Sequence, residues 1–527
     1  MVWQPNRLEQ ERLEKVQTLE SLGIEPFPRR AERTHTTAEA IALAEAHADR
    51  LDDPDQTHDL KVTVCGRIRR LNIKGNVSFL HIEDQSGRVQ LFLRINDMSE
   101  QEYNLVREKF VEMDDFVQAA GTMMRTKAGE ISVRVTQFKL LAKALSPLPV
   151  IKQQKLDDGT IIEHGEFSDT ESRYRQRYAD LAVNHDVREV FVRRAEVIRS
   201  LRRFLDDQGM LEVETPILQP IYGGAAARPF TTHHNDLNED LFLRISFELY
   251  LKRLLVGGYD AVYEIGRDFR NEGVSFKHNT EFTMLEFYKA YIDYRGVMDI
   301  TERMLAYTAE RVTGSTTVEW QGHVINFAPP WQRLTMRQAI QQYAGIDYMD
   351  YRDAESLERA IRAAATPEIN EKLKPGQPWG KLVEFALGEF AEKSLIQPTF
   401  ILDYPRDISP FAKRVDYDDL HVERFEAYIA GMEMANAFTE LNDPRDQESR
   451  FLEMAALFRD EEDDATPLDE DYLRAMRYGM PPNGGFGMGI DRLTMLLTNQ
   501  RSIRDVLLYP HMRRIEQAQE AKTDETP

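Results

Sequence analysis

Apolar and polar residues alternate with period two from residue 61 to about residue 146, in KVTVCGRIRRLNI, NVSFLHIEDQSGRVQLFLRI, DFVQAAGTMMRT and EISVRVTQFKLLAKAL. Gly turns separate these runs, so the stretch predicts four or five short strands closing a small all-β barrel or sandwich. Upstream the period becomes helical. Leu8, Val16 and Leu19 stand among charges between Asn6 and about Leu22, and Gly23, Pro26 and Pro28 stop that helix. A second helix is predicted after Thr37, a suitable N-cap, through AEAIALAEAHA. Downstream, IKQQKLDDGTIIEHGEFSD is charged and poor in core residues and reads as a linker carrying an inserted hairpin. Val190, Val197, Ile198, Leu201 and Phe204 then recur at helical spacing until Gly209. The strand MLEVETPIL follows, and Pro216 marks it as an edge or a bulge. YGGAAARPFTTHHNDL, rich in small residues, reads as a mobile loop.

The most informative pattern is AVYEIGRDFRNEGVSFKHNTEFTMLEFYKAY, Ala261 to Tyr291, which predicts two strands joined by a basic, Gly-containing loop. On the first strand Tyr263, Ile265 and Phe269 share one side, and Glu264, Asp268, Arg270 and Glu272 share the other. On the second, Phe282, Met284, Glu286 and Tyr288 share a face, while Lys277 and His278 lie in the loop. Alternation alone means a half-buried strand with one solvated side. A solvated side has no need of Phe282, Met284 and Tyr288 among its charges. Such a floor suits a flat base, a phosphate and an amine.

Three other stretches carry candidate chemistry. LRISFELYLKRLLVGGY places Glu248 at the start of an amphipathic helix. In HVERFEAYIAGMEMANAFTELND, Glu426 and Glu433 are carboxylates in an apolar setting, which suits a divalent cation held with phosphate oxygens. Asn436, Phe438 and Glu440 fall on one face of an extended strand, and a buried carboxylate there calls for a partner such as a ligand ammonium. In NGGFGMGIDRLTMLLTN the glycines let the backbone approach a ligand, and Arg492 begins a helix where an anion meets cationic and dipolar charge. His233 and His234 are adjacent on an extended run, so they point apart and make a poor metal pair. Between about Trp331 and Pro398 the pattern is helical without attached chemistry, and reads as an insertion.

Composition narrows the class without naming it. At 527 residues and 42% hydrophobic content, the chain has core enough for two to four domains. No run of about 18 apolar residues occurs and the N-terminus lacks a signal pattern, which predicts a cytoplasmic protein with no membrane partner. Its one cysteine, Cys65, excludes an internal disulfide and a cysteine-based metal site. A net charge of -22 does not suggest nucleic acid, but RIRR, RSLRR and RYRQR leave room for local phosphate contacts.

FRNEGVSFKHNTEFTMLEFY resembles motif two of the class II aminoacyl-tRNA synthetases, in the form carried by the bacterial lysyl enzymes of subclass IIb. FGMGIDR followed by SIRDVLLYPHMR resembles motif three, the helix and strand around Gly209 resemble motif one, and the β-rich segment resembles the anticodon-binding domain. The resemblance implies an α+β protein: an N-terminal oligonucleotide-binding barrel plus an antiparallel sheet flanked by helices. It divides the chain into a helical extension (1–60), the barrel (61–146), a linker with its hairpin (147–180), a catalytic domain (181–513, with the insertion at about 331–398) and a disordered tail (514–527). It implies a homodimer, and a reaction in which lysine and ATP give lysyl-adenylate and pyrophosphate before lysyl passes to tRNA.

Site residues follow from the same resemblance. Arg270, Glu272 and Arg492 carry the catalytic role, and they bind ATP together with His278, Phe282 and Glu433. Glu248, Arg270, Glu286, Tyr288, Asn436, Phe438 and Glu440 take lysine; Glu426 and Glu433 take Mg2+; and Arg70, Phe79, Gln90 and Glu130 read the anticodon. By itself Phe79 reads as a core residue as well as a stacking platform. Two alternatives are a paralogue that lysylates a non-tRNA acceptor and a non-catalytic RNA-binding relative.

Overall fold

The computed structural model describes residues 3–53, 56–149, 152–155, 161–164, 167, 169–457 and 468–513. The tail expected at 514–527 lies outside them. Two units form, Met1–Ser168 and Asp169–Pro527.

The first unit opens with helices α1 (Arg7–Ser21) and α2 (Thr37–Glu45), each started by a capping box, Asn6 with Glu9 and Thr36 with Glu39. The second cap is Thr36, one residue before the threonine expected, because its β-region backbone leaves the hydroxyl free to accept from the amide of Glu39. Strands β1 (Lys61–Lys74), β2 (Val77–Glu83), β3 (Arg88–Arg94), β4 (Phe116–Arg125) and β5 (Ile131–Ala142) close a barrel in the order β1-β2-β3-β5-β4. A further helix, α3 (Glu100–Arg107), lies between β3 and β4 in the chain. The alternation explains closure: Val62, Val64, Ile68, Leu80, Ile82, Leu91 and Val133 are buried inside, each such side chain stabilising by about 1.5–3 kcal/mol. Beyond the barrel, β6 (Lys152–Lys155) pairs antiparallel with β7 (Ile161–His164).

The second unit begins with α4 (Thr170–Arg175), α5 (Arg177–Val183) and the long α6 (His185–Asp207). The strand expected through Pro216 is broken: β8 (Leu211–Glu212) and β9 (Leu218–Gln219) belong to different sheets, since proline has no amide hydrogen for a ladder. The segment expected as a mobile loop is partly ordered, with β10 (Thr231–His234) paired to β11 (Glu239–Leu243). Then come α7 (Glu248–Val256), β12 (Ala261–Phe269), β13 (Glu281–Ala290), α8 (Tyr294–Thr313), β14 (Thr317–Trp320) and β15 (His323–Asn326). The segment read as a helical insertion opens instead with a strand, β16 (Gln332–Thr335), too short for its period to show in the sequence. Helices α9 (Met336–Ala344), α10 (Ala354–Ala364), α11 (Pro367–Lys372) and α12 (Trp379–Ala386) follow, and Ile340, Leu357, Ile361 and Leu382 pack into one core with Ile401, Tyr404 and Val422 of the large sheet. The chain finishes with β17 (Thr399–Pro405), β18 (His421–Ile429), β19 (Met432–Thr439), α13 (Pro444–Leu457), α14 (Glu470–Arg477), β20 (Asn483–Gly489) and α15 (Ile490–Leu497).

The eight-stranded sheet runs β16-β17-β18-β19-β20-β13-β12-β8, antiparallel throughout except for the pair at each end. One face packs on α6, α8 and α15 through Leu201, Val297, Leu305 and Leu493, which meet Leu285, Phe287, Ala437 and Phe486. Phe287 and Phe486 are register partners and stack with centroids 4.8 Å apart. Because strand side chains alternate, the neighbours of these residues face the other way. That second face is where candidate chemistry collects.

Candidate functional site

Register decides which side chains meet. Glu286 on β13 lies opposite Gly487 on β20, which lies opposite Asn436 on β19. One step along, Tyr288 is opposite Gly485, and Gly485 opposite Phe438. The glycines leave the middle of both rows without side chains, and a cavity of about 380 Å3 opens there. Glu248, Glu286, Tyr288, Asn436 and Phe438 line one part of it; Arg270, Glu272, His278, Phe282, Glu433 and Arg492 line the rest. Glu440 and Glu426 are not in the lining and stand behind it, both buried.

The charged face read on the first hairpin strand is not solvated. Glu264 and Asp268 are buried, and Arg244 pairs with Glu264 at 2.6 Å while stacking on Phe247 at 4.0 Å. Asp268 has no hydrogen bond to either oxygen; burial lifts its pKa to about 7, and the neighbouring Arg270 and Arg244 moderate the rise. Arg270 lies just past the end of β12, its guanidinium 5.1 Å from the Phe282 ring and one amino group donating to the Ile245 carbonyl at 3.4 Å.

The cationic end is built from the connecting loop and α15. Arg492 donates to the Glu433 carbonyl at 2.5 Å and approaches His278 Nε2 at 3.2 Å. A guanidinium only donates, so Nε2 accepts and the proton of the neutral ring is on Nδ1, which donates to Ser275 Oγ at 2.8 Å. Burial, then Arg492 and Lys277, push the His278 pKa down to about 4. Excess positive charge of this kind favours a polyanion.

The acidic end is the reverse. Glu286 accepts from Ser246 Oγ at 2.8 Å and from the Tyr288 hydroxyl at 3.3 Å, and burial, then Asp268 and Glu248, raise its pKa to about 8. Glu248 and Glu440 are likewise raised, by burial first, and share the ammonium of Lys252. Sequence reasoning overlooked Lys252 and Ser246, and placed Asp268 on the charged strand face without a role.

Glu426 and Glu433 sit on neighbouring strands. Glu426 pairs with Arg424 at 2.7 Å and Glu433 with Arg492 at 3.3 Å, and burial, then Glu433, push the Glu426 pKa up to about 7. Two neighbouring carboxylates are oxygen donors of the kind a divalent cation takes. Among the described residues no group of three or more metal-ligating side chains occurs, which leaves further ligands to come from bound oxygens.

In the barrel, Arg70, His81, Gln90 and Ser132 form one row across β1, β2, β3 and β5. Glu130 ties this row together, accepting from Gln90 Nε2 at 2.5 Å and contacting His81 Nε2 at 2.7 Å. Phe79 is half-buried on β2 and packs against Phe92 at 5.4 Å. His81 and Ser132 were not read from the sequence, because only register joins them to Gln90.

Comparison with known proteins bears on both units. Residues 169–513 match the family of tRNA synthetases class II (D, K and N), and residues 62–141 match the OB-fold nucleic acid binding domain. A lysine–tRNA ligase of Roseiflexus castenholzii is 50% identical, covering 96% of this chain and 99% of the relative. Lysine–tRNA ligases of Dehalococcoides mccartyi (47% identical; 96% and 97% covered) and Chloroflexus aurantiacus (46%; 96% and 98%) are similar over the same extent. The catalytic-sheet match spans every strand that lines the cavity, and the chain belongs to the class II tRNA synthetases of the D, K and N group.

Proposed function

We propose that the chain is a lysine–tRNA ligase that activates L-lysine with ATP and transfers lysyl to the 3′-terminal adenosine of tRNA(Lys). The carrying observation is one cavity with opposite ends, Arg270, Lys277 and Arg492 at one and Glu248 and Glu286 at the other, with Glu440 buried behind its wall. An aspartate side chain would need cations where this pocket has carboxylates. Glu248 takes the α-ammonium; Glu286, Tyr288 and Glu440 take the ε-ammonium; Phe438 lines the stem, and Asn436 supplies a polar contact beside it. Arg270 holds the amino-acid carboxylate against the α-phosphate, Phe282 stacks on adenine, Glu272 positions it, and His278 and Arg492 meet the far phosphates.

Catalysis is positioning and electrostatics, without a protein nucleophile. The lysine carboxylate oxygen attacks the α-phosphorus, the bond to the bridging oxygen breaks, and pyrophosphate leaves. A terminal ribose hydroxyl then attacks the adenylate carbonyl and AMP departs. Glu426 and Glu433 would hold Mg2+, which neutralises phosphate charge when bound. Arg70, Phe79, Gln90 and Glu130 read the anticodon. Exposed Val192, Leu211, Ile217 and Leu218 around α6, β8 and β9 support a homodimer, which sedimentation as a monomer at micromolar concentration would refute. No described helix is long and apolar enough to cross a membrane.

The test is amino-acid-dependent ATP–pyrophosphate exchange with all twenty amino acids, followed by charging of unfractionated tRNA. Exchange with lysine alone and charging of lysine tRNA are expected; exchange without charging redirects the acceptor, and no exchange sinks the proposal. Two variants probe the sites separately. In Gly485→Ala the added Cβ would stand 1.8 Å from Glu440 Oε1 and 2.5 Å from the Tyr288 ring, so lysine-dependent exchange falls about five- to 150-fold as about 1–3 kcal/mol of strain enters the pocket. Phe79→Ala removes a stacking platform worth about 1–3 kcal/mol, so kcat/KM for tRNA drops about five- to 150-fold. Exchange in the same preparation stays at the wild-type rate.

A further inference from the structure

Lys252 has no exposed surface, and its Nζ lies 2.5 Å from Glu248 Oε1 and against Glu440 Oε2. The rings of Phe411, Phe438 and Tyr288 surround it at 4.7, 5.4 and 5.7 Å. Buried ion pairs are poor stabilisers, because desolvating both charges offsets most of their attraction, so packing alone does not account for a cation here. Both carboxylates it engages are ones the lysine pocket needs. Its ionic contact is with Oε2 of Glu440; neither oxygen of that carboxylate has a hydrogen-bond partner, and Oε1 lies over Gly485, which lines the cavity.

We propose that Lys252 is a positioning and specificity-determining residue: its ammonium favours the ionised forms of Glu248 and Glu440 and aims them so that the pocket accepts an amino acid bearing two ammonium groups. This rests on the lysine-binding reading of the cavity. The charge balance gives the reason. Glu248, Glu286 and Glu440 against one fixed ammonium leave the cluster two positive charges short, and the α- and ε-ammonium groups of lysine supply them. An amino acid with a single ammonium leaves one buried carboxylate unpaired, which is costly.

Every charged or titratable group facing the cluster enters this balance. They are Glu248 and Lys252 on α7, Glu286 and Tyr288 on β13, Glu440 after β19, Tyr472 on α14, Asp268 on β12 and Arg424 on β18. Glu286, at about 8, is protonated in the free enzyme below that pH, and binding an ammonium requires it ionised. The wild-type KM for lysine therefore falls as pH rises and levels off near pH 8.

The experiment compares wild type, Lys252→Met and the double variant Lys252→Met/Glu248→Gln in pyrophosphate exchange from pH 6.5 to 9, with KM for lysine and ATP at each pH. In Lys252→Met the buried Glu248 and Glu440 lose their cation and ionise only at higher pH, so lysine KM goes on falling at least about one pH unit beyond the wild-type break, a shift equivalent to 1.36 kcal/mol. Lysine KM at pH 7.5 rises about tenfold, and ATP KM stays within about threefold. The double variant removes one acid along with the cation, and its break returns to near 8. An unmoved break in Lys252→Met, equal rises in both KM values, or a break displaced equally in both variants overturns the proposal. Should Lys252→Met not fold, Lys252→Gln takes its place with the same readouts: folded protein whose break and lysine KM match the wild type overturns the proposal. Absence of lysine-dependent exchange in the wild type instead overturns the underlying lysine reading.

Discussion

Arg270→Gln lowers kcat for lysine-dependent pyrophosphate exchange by about 100- to 1,000-fold, the size of effect seen when one donor to a developing negative charge is removed. Arg270 is placed for that role by three constraints: the loop that begins at the end of β12, the Phe282 ring 5.1 Å from its guanidinium, and the Ile245 carbonyl that takes one of its protons. Its Nε has no partner in the protein, so the fork keeps donor capacity for a ligand. Two anions must be brought into contact before the α-phosphorus can be attacked, and a planar fork can bridge both. Lys in its place keeps the charge but not the fork, so Arg270→Lys recovers only a small part of the rate. Steady-state exchange at saturating lysine and ATP is the measurement. A loss under tenfold in Arg270→Gln would mean that the carboxylate and α-phosphate meet elsewhere in the cavity.

The hairpin that supplies Arg270 was legible because its period, its glycine-containing loop and its motif agree. Phe282, Glu286 and Tyr288 share a face from spacing alone, and the register reproduces it. The order of the sheet was not legible. β13 pairs with β20 across nearly two hundred residues, and nothing local in either strand specifies that pairing. Lys252 was missed for a different reason: Glu248 and Lys252, four apart on α7, have the spacing of an ordinary solvent-exposed helix pair. Only the tertiary packing of α7 near β13 and the residue after β19 turns that pair into a buried cluster. Pro216 shows the limit of a local rule, since it marked a disturbed strand without showing that its two halves join different sheets. In the barrel the inward positions were clear from alternation, whereas the row from Arg70 to Ser132 exists only through register.

Glu440→Gln raises KM for lysine by about 100-fold or more and leaves KM for ATP within about threefold, both read from the same exchange assay. The side chain is 1% exposed and lies against Lys252; in the proposed lysine complex it sits between two cations, Lys252 behind and the substrate ε-ammonium in front. A glutamine has one oxygen and one amino group for those two places. Whichever way the amide turns, an N–H faces an ammonium, so one buried donor loses its acceptor. Breaking a buried charge pair in this way costs about 3–5 kcal/mol, and 1.4 kcal/mol is tenfold in affinity. The ATP end is untouched because Arg270, His278 and Arg492 lie in the part of the cavity away from the acids. A fall in thermal stability would accompany the change, since Lys252 keeps only Glu248. Stability and binding separate in the ratio of the two KM values: a loosened fold raises both, whereas loss of the ammonium partner raises lysine alone. Equal rises would place the ε-ammonium somewhere other than Glu440, and would leave Glu286 with Tyr288 as its sole anchor.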